Sequence, residues 1–147
     1  MTVESVVIAV GRDEGERADE LAGVAVELAA TGAEVTLVHA FETQAAVDEA
    51  AGRLGLEDGS TADVARRLDS VRRVSRALDD AGVQYEVDAR VGAVGEAVSE
   101  AAHERAADRV VVGGRDRSPT GKAVFGSSAQ AVLLSAPCPV TFVRRDD

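Results

Sequence analysis

Aromatic residues are scarce in this chain of 147 residues, where they make up 3% of the sequence and tryptophan is absent. A core without them has to be built from aliphatic side chains, and hydrophobic residues account for 46% of the chain. Strands that are buried on both faces of a parallel sheet are rich in such side chains. The composition therefore predicts an α/β protein, and the lack of aromatic platforms disfavours a redox flavoprotein.

Cysteine and histidine are also rare. Cys138 is the only cysteine, which excludes an internal disulfide and a cysteine-based zinc site. His39 and His103 lie far apart and outside any metal-ligand spacing, so we expect both to be structural or exposed. The sequence shows no signal peptide and no apolar run near the roughly 20 residues that cross a bilayer. These absences predict a soluble, cytoplasmic protein without a membrane partner.

Positive charge is in short supply. The 16 basic residues, of which only Lys122 is a lysine, are outnumbered by 26 carboxylates, and the formal net charge is −10. A chain of this charge repels a phosphate backbone, so we expect no nucleic-acid partner. The acidic, arginine-rich balance also suggests adaptation to high salt, which we take as a hypothesis.

Apolar runs alternate with helical spacings along the chain. Buried strands are predicted at residues 6–10, 34–40, 109–112 and 140–143, and a half-exposed edge strand at residues 83–91. Helices are predicted at residues 18–29, 64–82, 93–107 and 127–135. Glycines interrupt residues 41–61, where we place an irregular helix or mobile insertion. The alternation, without internal repeats, predicts one doubly wound α/β domain with a mainly parallel sheet.

The loop between the fourth strand and the last helix carries the clearest motif. Gly113 is followed after two residues by Asp116, and after nine more by Gly126 and Ser127. Backbone N–H groups in a glycine-rich loop and at a helix N-terminus can point together at a phosphate. This stretch therefore predicts an anion-binding turn.

The spacing of this loop resembles the nucleotide loop of the universal stress protein family, which has glycine where this chain has Asp116. The first strand, the second strand ending in His39-Ala40, and the closing residues 136–140 resemble the same family. The resemblance covers nearly all of a single domain, residues 1–147, except residues 41–61, taken as a variable insertion. It implies a five-stranded, flavodoxin-like parallel sheet with helices on both faces. It also implies a homodimer through the C-terminal edge strand and, in one branch, bound ATP.

The same resemblance implies which residues would contact an adenine nucleotide. Gly113, Gly126 and Ser127 match positions that hold phosphates and ribose, and Ala40 matches a backbone position that contacts adenine. The candidate binding residues are Ala9, Gly11, Asp13, Ala40, Gly113, Arg115, Asp116, Arg117, Lys122, Gly126, Ser127 and Ser128.

Two departures from the family pattern bear on whether a nucleotide binds. Gly11 stands where ATP-binding members have aspartate, and Asp13 fits either a replacement ligand or a helix cap paired with Glu16. The carboxylate of Asp116, at about 4 Å from a phosphate, would repel it and weaken the free energy of nucleotide binding by roughly 1 to 4 kcal/mol. That cost falls if Asp116 helps to coordinate Mg²⁺, the one metal role that we assign.

Simpler interpretations remain for the other loop residues. Arg115, Arg117 and Lys122 supply cations for a phosphate, or they form a solvated surface. Ser127 has the spacing of a capping box with Gln130, and a cap and a phosphate ligand are compatible roles for it.

No catalytic constellation accompanies the loop. A Walker A loop would need glycine at position 116 and serine or threonine at 123, where the chain has Asp116 and Ala123. We assign no catalytic residue. The sequence favours a stress-response regulatory protein that binds ATP without rapid catalysis. The alternatives are a nucleotide-free dimeric module for an unknown protein partner and, third, a slow ATPase.

The high-salt hypothesis predicts that molar KCl raises the midpoint of thermal unfolding above its value in dilute buffer. The reason is that repulsion among the excess carboxylates is screened within about 3 Å at 1 M salt. Differential scanning calorimetry at both salt concentrations measures the effect. Equal midpoints would contradict the hypothesis.

Overall fold

The computed structural model describes residues 3–11, 18–29, 32–56, 59–113 and 127–143. The strands are β1 (Ser5–Ala9), β2 (Glu34–Phe41), β3 (Tyr85–Val91), β4 (Arg109–Gly113) and β5 (Val140–Val143). The helices are α1 (Ala18–Leu28), α2 (Gln44–Leu54), α3 (Thr61–Arg66), α4 (Asp69–Asp80), α5 (Val94–Glu104) and α6 (Ser127–Ser135).

The strands form one sheet in the order β3-β2-β1-β4-β5, and every neighbouring pair is parallel. Helices cover both faces of the sheet, so the predicted five-stranded, doubly wound α/β fold is confirmed. The predicted edge position of β3 is confirmed as well. In the described part of the chain, no helix has the length and apolar character that crossing a membrane requires.

Central strand β1 divides the core into two layers. Val6, Ile8 and Val10 pack with residues of α1 and α4 on one face. Val7 and Ala9 pack with residues of α5 and α6 on the other. All five are at most 6% exposed, and full burial of each branched side chain contributes about 1.5 to 3 kcal/mol. The nearly continuous apolar run of β1 reflects this burial on both faces.

The long helix predicted at residues 64–82 is wrong, because the chain forms α3 and α4 with a break between them. Leu68 is extended there, with φ −66° and ψ 140°. Its side chain packs against the apolar clusters of both helices. Periodicity alone did not reveal the break, because the apolar spacing continues through Val64, Val71 and Val74.

Of the two alternatives predicted for residues 41–61, the irregular helix is wrong, and the mobile insertion stays a prediction. Phe41 belongs to β2, and α2 is a regular helix capped by Thr43, whose Oγ1 accepts a hydrogen bond from the Ala46 N–H at 3.1 Å. Gly55 ends α2 in the left-handed region, at φ +71°. Gly52 lies exposed within the helix, where it lowers helix propensity without breaking the helix.

Edge strand β3 is tied to α5 by an ionic network. Arg90 forms ion pairs with Asp88, at 3.0 Å, and with Glu104, while Arg105 pairs with Glu86 at 2.9 Å. The hydrogen bonds of Arg90 to Glu104 and Asp88 raise the pKa of its guanidinium. The same Arg90 contact lowers the pKa of the Glu104 carboxyl. This network holds the polar face of the edge strand to the helix above it.

Candidate functional site

The carboxyl ends of β1, β2 and β4 meet at one edge of the sheet. Ala9 is paired with Val38 on β2 and with Val112 on β4. This register brings Gly11, which follows β1, level with Ala40 on β2, and brings Gly113 to the same edge. The strand order reverses between β1 and β4. In open α/β sheets, ligands bind in the crevice outside the carboxyl ends of the strands at such a reversal.

The candidate residues at this edge differ in accessibility. Gly11 is exposed and Ala40 is half-buried, so their backbones are open to a ligand. Ala9 is 6% exposed and packs with the α5 and α6 residues, and Gly113 is the buried last residue of β4. Of these four described candidates, Gly11 and Ala40 are therefore the accessible ones.

The end of β1 is fastened to β2 by two hydrogen bonds. The Val10 N–H donates to the Val38 carbonyl at 2.9 Å, and Nδ1 of His39 lies 2.7 Å from the Val10 carbonyl oxygen. His39 is 5% exposed, and its ring meets that of Phe41 edge-on at a centroid distance of 4.6 Å. His103 is exposed on α5, so the expectation for both histidines is confirmed.

Sequence reasoning did not assign His39 to the site. The signal for it was present: this histidine ends an apolar strand run and directly precedes Ala40. Its partner, the Val10 carbonyl, lies 29 residues away in the sequence, and no periodicity reports a bond between a side chain and a distant backbone group.

Helix α6 begins at Ser127, as predicted, and is held in place by α5. A Cβ added to Gly95 would lie 2.7 Å from the Ala131 Cβ, so the helices approach closely there. Ser99 Oγ donates to the Ser135 carbonyl at 2.7 Å, and Ser135 Oγ lies 2.6 Å from the Ala131 carbonyl oxygen and 3.1 Å from that of Gly95, so its one hydrogen is shared between them. These contacts fix the helix whose N-terminus carries Ser127 and the exposed Ser128.

A wide groove of about 1310 Å³ lies at the opposite edge, where β2 and β3 begin. Its charged lining residues are Glu34, Arg66, Arg72, Arg76, Asp79 and Glu86. Three carboxylates balance three guanidiniums, so the groove selects no sign of charge. The carboxyl edge of β1, β2 and β4 remains the better candidate site, because open α/β sheets bind ligands where the strand order reverses.

Comparison with known proteins identifies the domain. The sequence profile described as the Universal stress protein family matches residues 5–144. The chain belongs to the universal stress protein family. A universal stress protein of Thermus aquaticus is 35% identical over 137 residues, covering 91% of this chain and 93% of the relative.

Solved structures of universal stress proteins have the same fold. One from Archaeoglobus fulgidus is 28% identical, with a TM-score of 0.68 over 95% of this chain and 98% of the other. A second from Archaeoglobus fulgidus, in complex with dAMP, is 21% identical, with a TM-score of 0.63 over 98% and 100% of the two chains. At that identity, the second comparison shows the fold alone.

Part of the predicted loop lies outside the described residues. The candidate residues of this loop that lie there are Arg115, Asp116, Arg117, Lys122 and Gly126, and Asp13, which follows β1, lies outside the described residues as well. Among the described ranges, no group of three or more histidine, cysteine, aspartate or glutamate residues could hold a metal ion. The magnesium role of Asp116 therefore stays a prediction from the sequence.

The close approach of α5 and α6 predicts that Gly95→Ala destabilises this universal stress protein by about 1 to 2 kcal/mol. Overpacking against Ala131, whose backbone lies 3.1 Å from the added Cβ, outweighs the gain of about 1 kcal/mol in helix propensity. Urea unfolding of both proteins measures the difference.

Gly23→Ala is the matched control, since Gly23 lies within α1 and a Cβ there meets nothing within 4 Å. We expect this control to stabilise the protein by up to about 1 kcal/mol. Equal effects of the two substitutions would show that helix propensity, and not the α5–α6 contact, decides the result.

Proposed function

We propose that this universal stress protein binds an adenine nucleotide, with ATP as the first candidate, at the carboxyl edge of β1, β2 and β4. One observation carries the proposal: the strand register brings Gly11, Ala40 and Gly113 to one edge at the reversal of strand order. The dAMP complex of a structure with the same fold supports an adenine nucleotide as the ligand class.

The edge offers a different kind of contact to each part of a nucleotide. The half-buried backbone at Ala40 suits adenine, since backbone N–H and C=O groups match the edge of a base. In the proposed site, the N-terminus of α6 would offer its first N–H groups and the positive end of the helix dipole to a phosphate. Ser127 begins that helix.

The described part of the edge favours binding over rapid chemistry. Its one histidine, His39, directs Nδ1 to the Val10 carbonyl. Hydrolysis needs a positioned base for the attacking water, and the described strand ends Ala9, Ala40 and Gly113 carry no side chain that can act as one. We therefore propose that nucleotide binding alters the surface offered to a partner in a stress response.

Magnesium is the second part of the proposal. Asp116 and the phosphate oxygens would hold the ion. Its positive charge would offset the repulsion between the carboxylate and the phosphates. Arg115, Arg117 and Lys122 would supply the remaining positive charge.

We predict that ATP binds at least about tenfold more weakly when EDTA removes Mg²⁺, which corresponds to 1.4 kcal/mol of lost interaction. Asp116→Asn should abolish most of this difference, because the amide removes both the metal ligand and the repulsion. Isothermal titration calorimetry with and without Mg²⁺ measures the affinities.

Asp79→Asn is the matched control, since this exposed aspartate lines the groove at the opposite edge of the sheet. Equal affinity of the unsubstituted protein with and without Mg²⁺ would contradict the role of Asp116. Failure of millimolar ATP with Mg²⁺ to shift thermal unfolding, with no nucleotide released by acid, would support the nucleotide-free module instead.

We also propose a homodimer that forms through β5. This strand lies at the edge of the sheet and is four residues long. An unpaired edge is a template for pairing with a second copy. Leu134, on the helix that precedes β5, is 81% exposed and would add apolar surface to such a contact.

We predict that the protein sediments at micromolar concentration as a dimer of its 15.2 kDa chain. Thr141→Lys, in the middle of β5, should shift it to monomer, because it places a like charge on both copies of the edge. Val91→Lys on the opposite edge strand β3 is the control and should leave the dimer intact. A monomeric parent protein would refute the proposal.

A further inference from the structure

We propose that His39 is a positioning residue for the nucleotide edge. Its ring makes a hydrogen bond that joins the carboxyl end of β1 to β2. This bond would keep Gly11 and Ala40 in one arrangement relative to the ligand. This inference rests on the proposed function, and it concerns a residue between the two strand ends that form the edge.

The bond from His39 lies where the β1–β2 ladder stops. Val10 is the first residue after β1, and its N–H donates to the Val38 carbonyl at 2.9 Å. Its carbonyl oxygen faces Nδ1 of His39 at 2.7 Å. A carbonyl only accepts, so Nδ1 carries the hydrogen. Both backbone groups of Val10 are therefore held by β2, one by backbone and one by the imidazole.

The imidazole is itself restrained. His39 and Phe41 are each 5% exposed, and their rings meet at an interplanar angle of 76°. Phe41 is packed in a cluster with four residues of α2 and α3: Val47, Ala50, Val64 and Ala65. The Phe41 carbonyl accepts from the Gly92 N–H at 2.8 Å, just after β3. Burial and packing of Phe41 thus restrict the positions open to the His39 ring, and the ring in turn restricts Val10.

Position in the chain distinguishes this role from that of an ordinary core histidine. His39 directly precedes Ala40, and its acceptor Val10 directly precedes Gly11. A shift of Val10 is therefore transmitted through a single peptide unit to the exposed Gly11. Loss of the bond should affect nucleotide affinity and the local protection of β1, beyond any change in global stability.

The test compares His39→Leu with His39→Asn. The asparagine amide nitrogen is bonded to the γ carbon, as Nδ1 is, so it can still donate to Val10, whereas leucine cannot. We expect His39→Leu to weaken ATP–Mg²⁺ affinity about tenfold, and His39→Asn to stay within about threefold of the parent, because one hydrogen bond contributes about 1 kcal/mol. His103→Leu, at the exposed histidine of α5, is the control and should leave the affinity unchanged.

Amide hydrogen exchange without nucleotide gives a second readout. The Val10 N–H should exchange about tenfold faster in His39→Leu and at the parent rate in His39→Asn. Unchanged Val10 exchange in His39→Leu, or equal losses of affinity in the two variants, would overturn the positioning role. Absence of ATP binding in the parent, with Val10 exchange responding as expected, would overturn the proposed function and support the strand-positioning role.

Discussion

Parallel pairing of β1 with β2 on one side and β4 on the other is the constraint on which the rest of this structure depends. It forces three chain segments to leave the sheet at the same edge, although they are separated by dozens of residues in the sequence. It also leaves β1 buried on both faces, where mainly aliphatic side chains pack against it. The position of the candidate site is thus determined by the strand order and pairing, independently of the side chains that line it.

The two edge strands of the sheet, β3 and β5, differ in charge. On β3, Arg90 and Arg105 link Asp88 and Glu86 to α5, so that salt bridges occupy one face of the strand. On β5 the short strand follows an exposed Leu134 and carries no charged side chain. Charged side chains on an edge strand oppose pairing with another chain, and β3 has such side chains where β5 has none.

The sequence predicted the strands and most helices because burial on both faces and amphipathic helices leave distinct periodic patterns. The break at Leu68 escaped prediction since α3 and α4 continue a similar apolar spacing. The regularity of α2 was missed because its glycines suggested interruption, whereas Gly55 serves as the end of the helix. At the site, motif spacing predicts a nucleotide loop after Gly113, and residues 114–126 of that loop lie outside the described residues. The bond between His39 and Val10 depends on strand register, which no local pattern encodes.

A net charge of −10 does not by itself oppose binding of an anionic nucleotide at this edge. At physiological ionic strength, exposed charges more than about 8 Å away are largely screened, so distant carboxylates contribute little to the energy of a bound phosphate. What decides affinity is the charge within that radius. The N-terminus of α6 carries partial positive charge, and the proposed site would add the cations Arg115, Arg117 and Lys122 and the carboxylate of Asp116. The net charge of the whole chain therefore does not decide whether an anion binds at this edge.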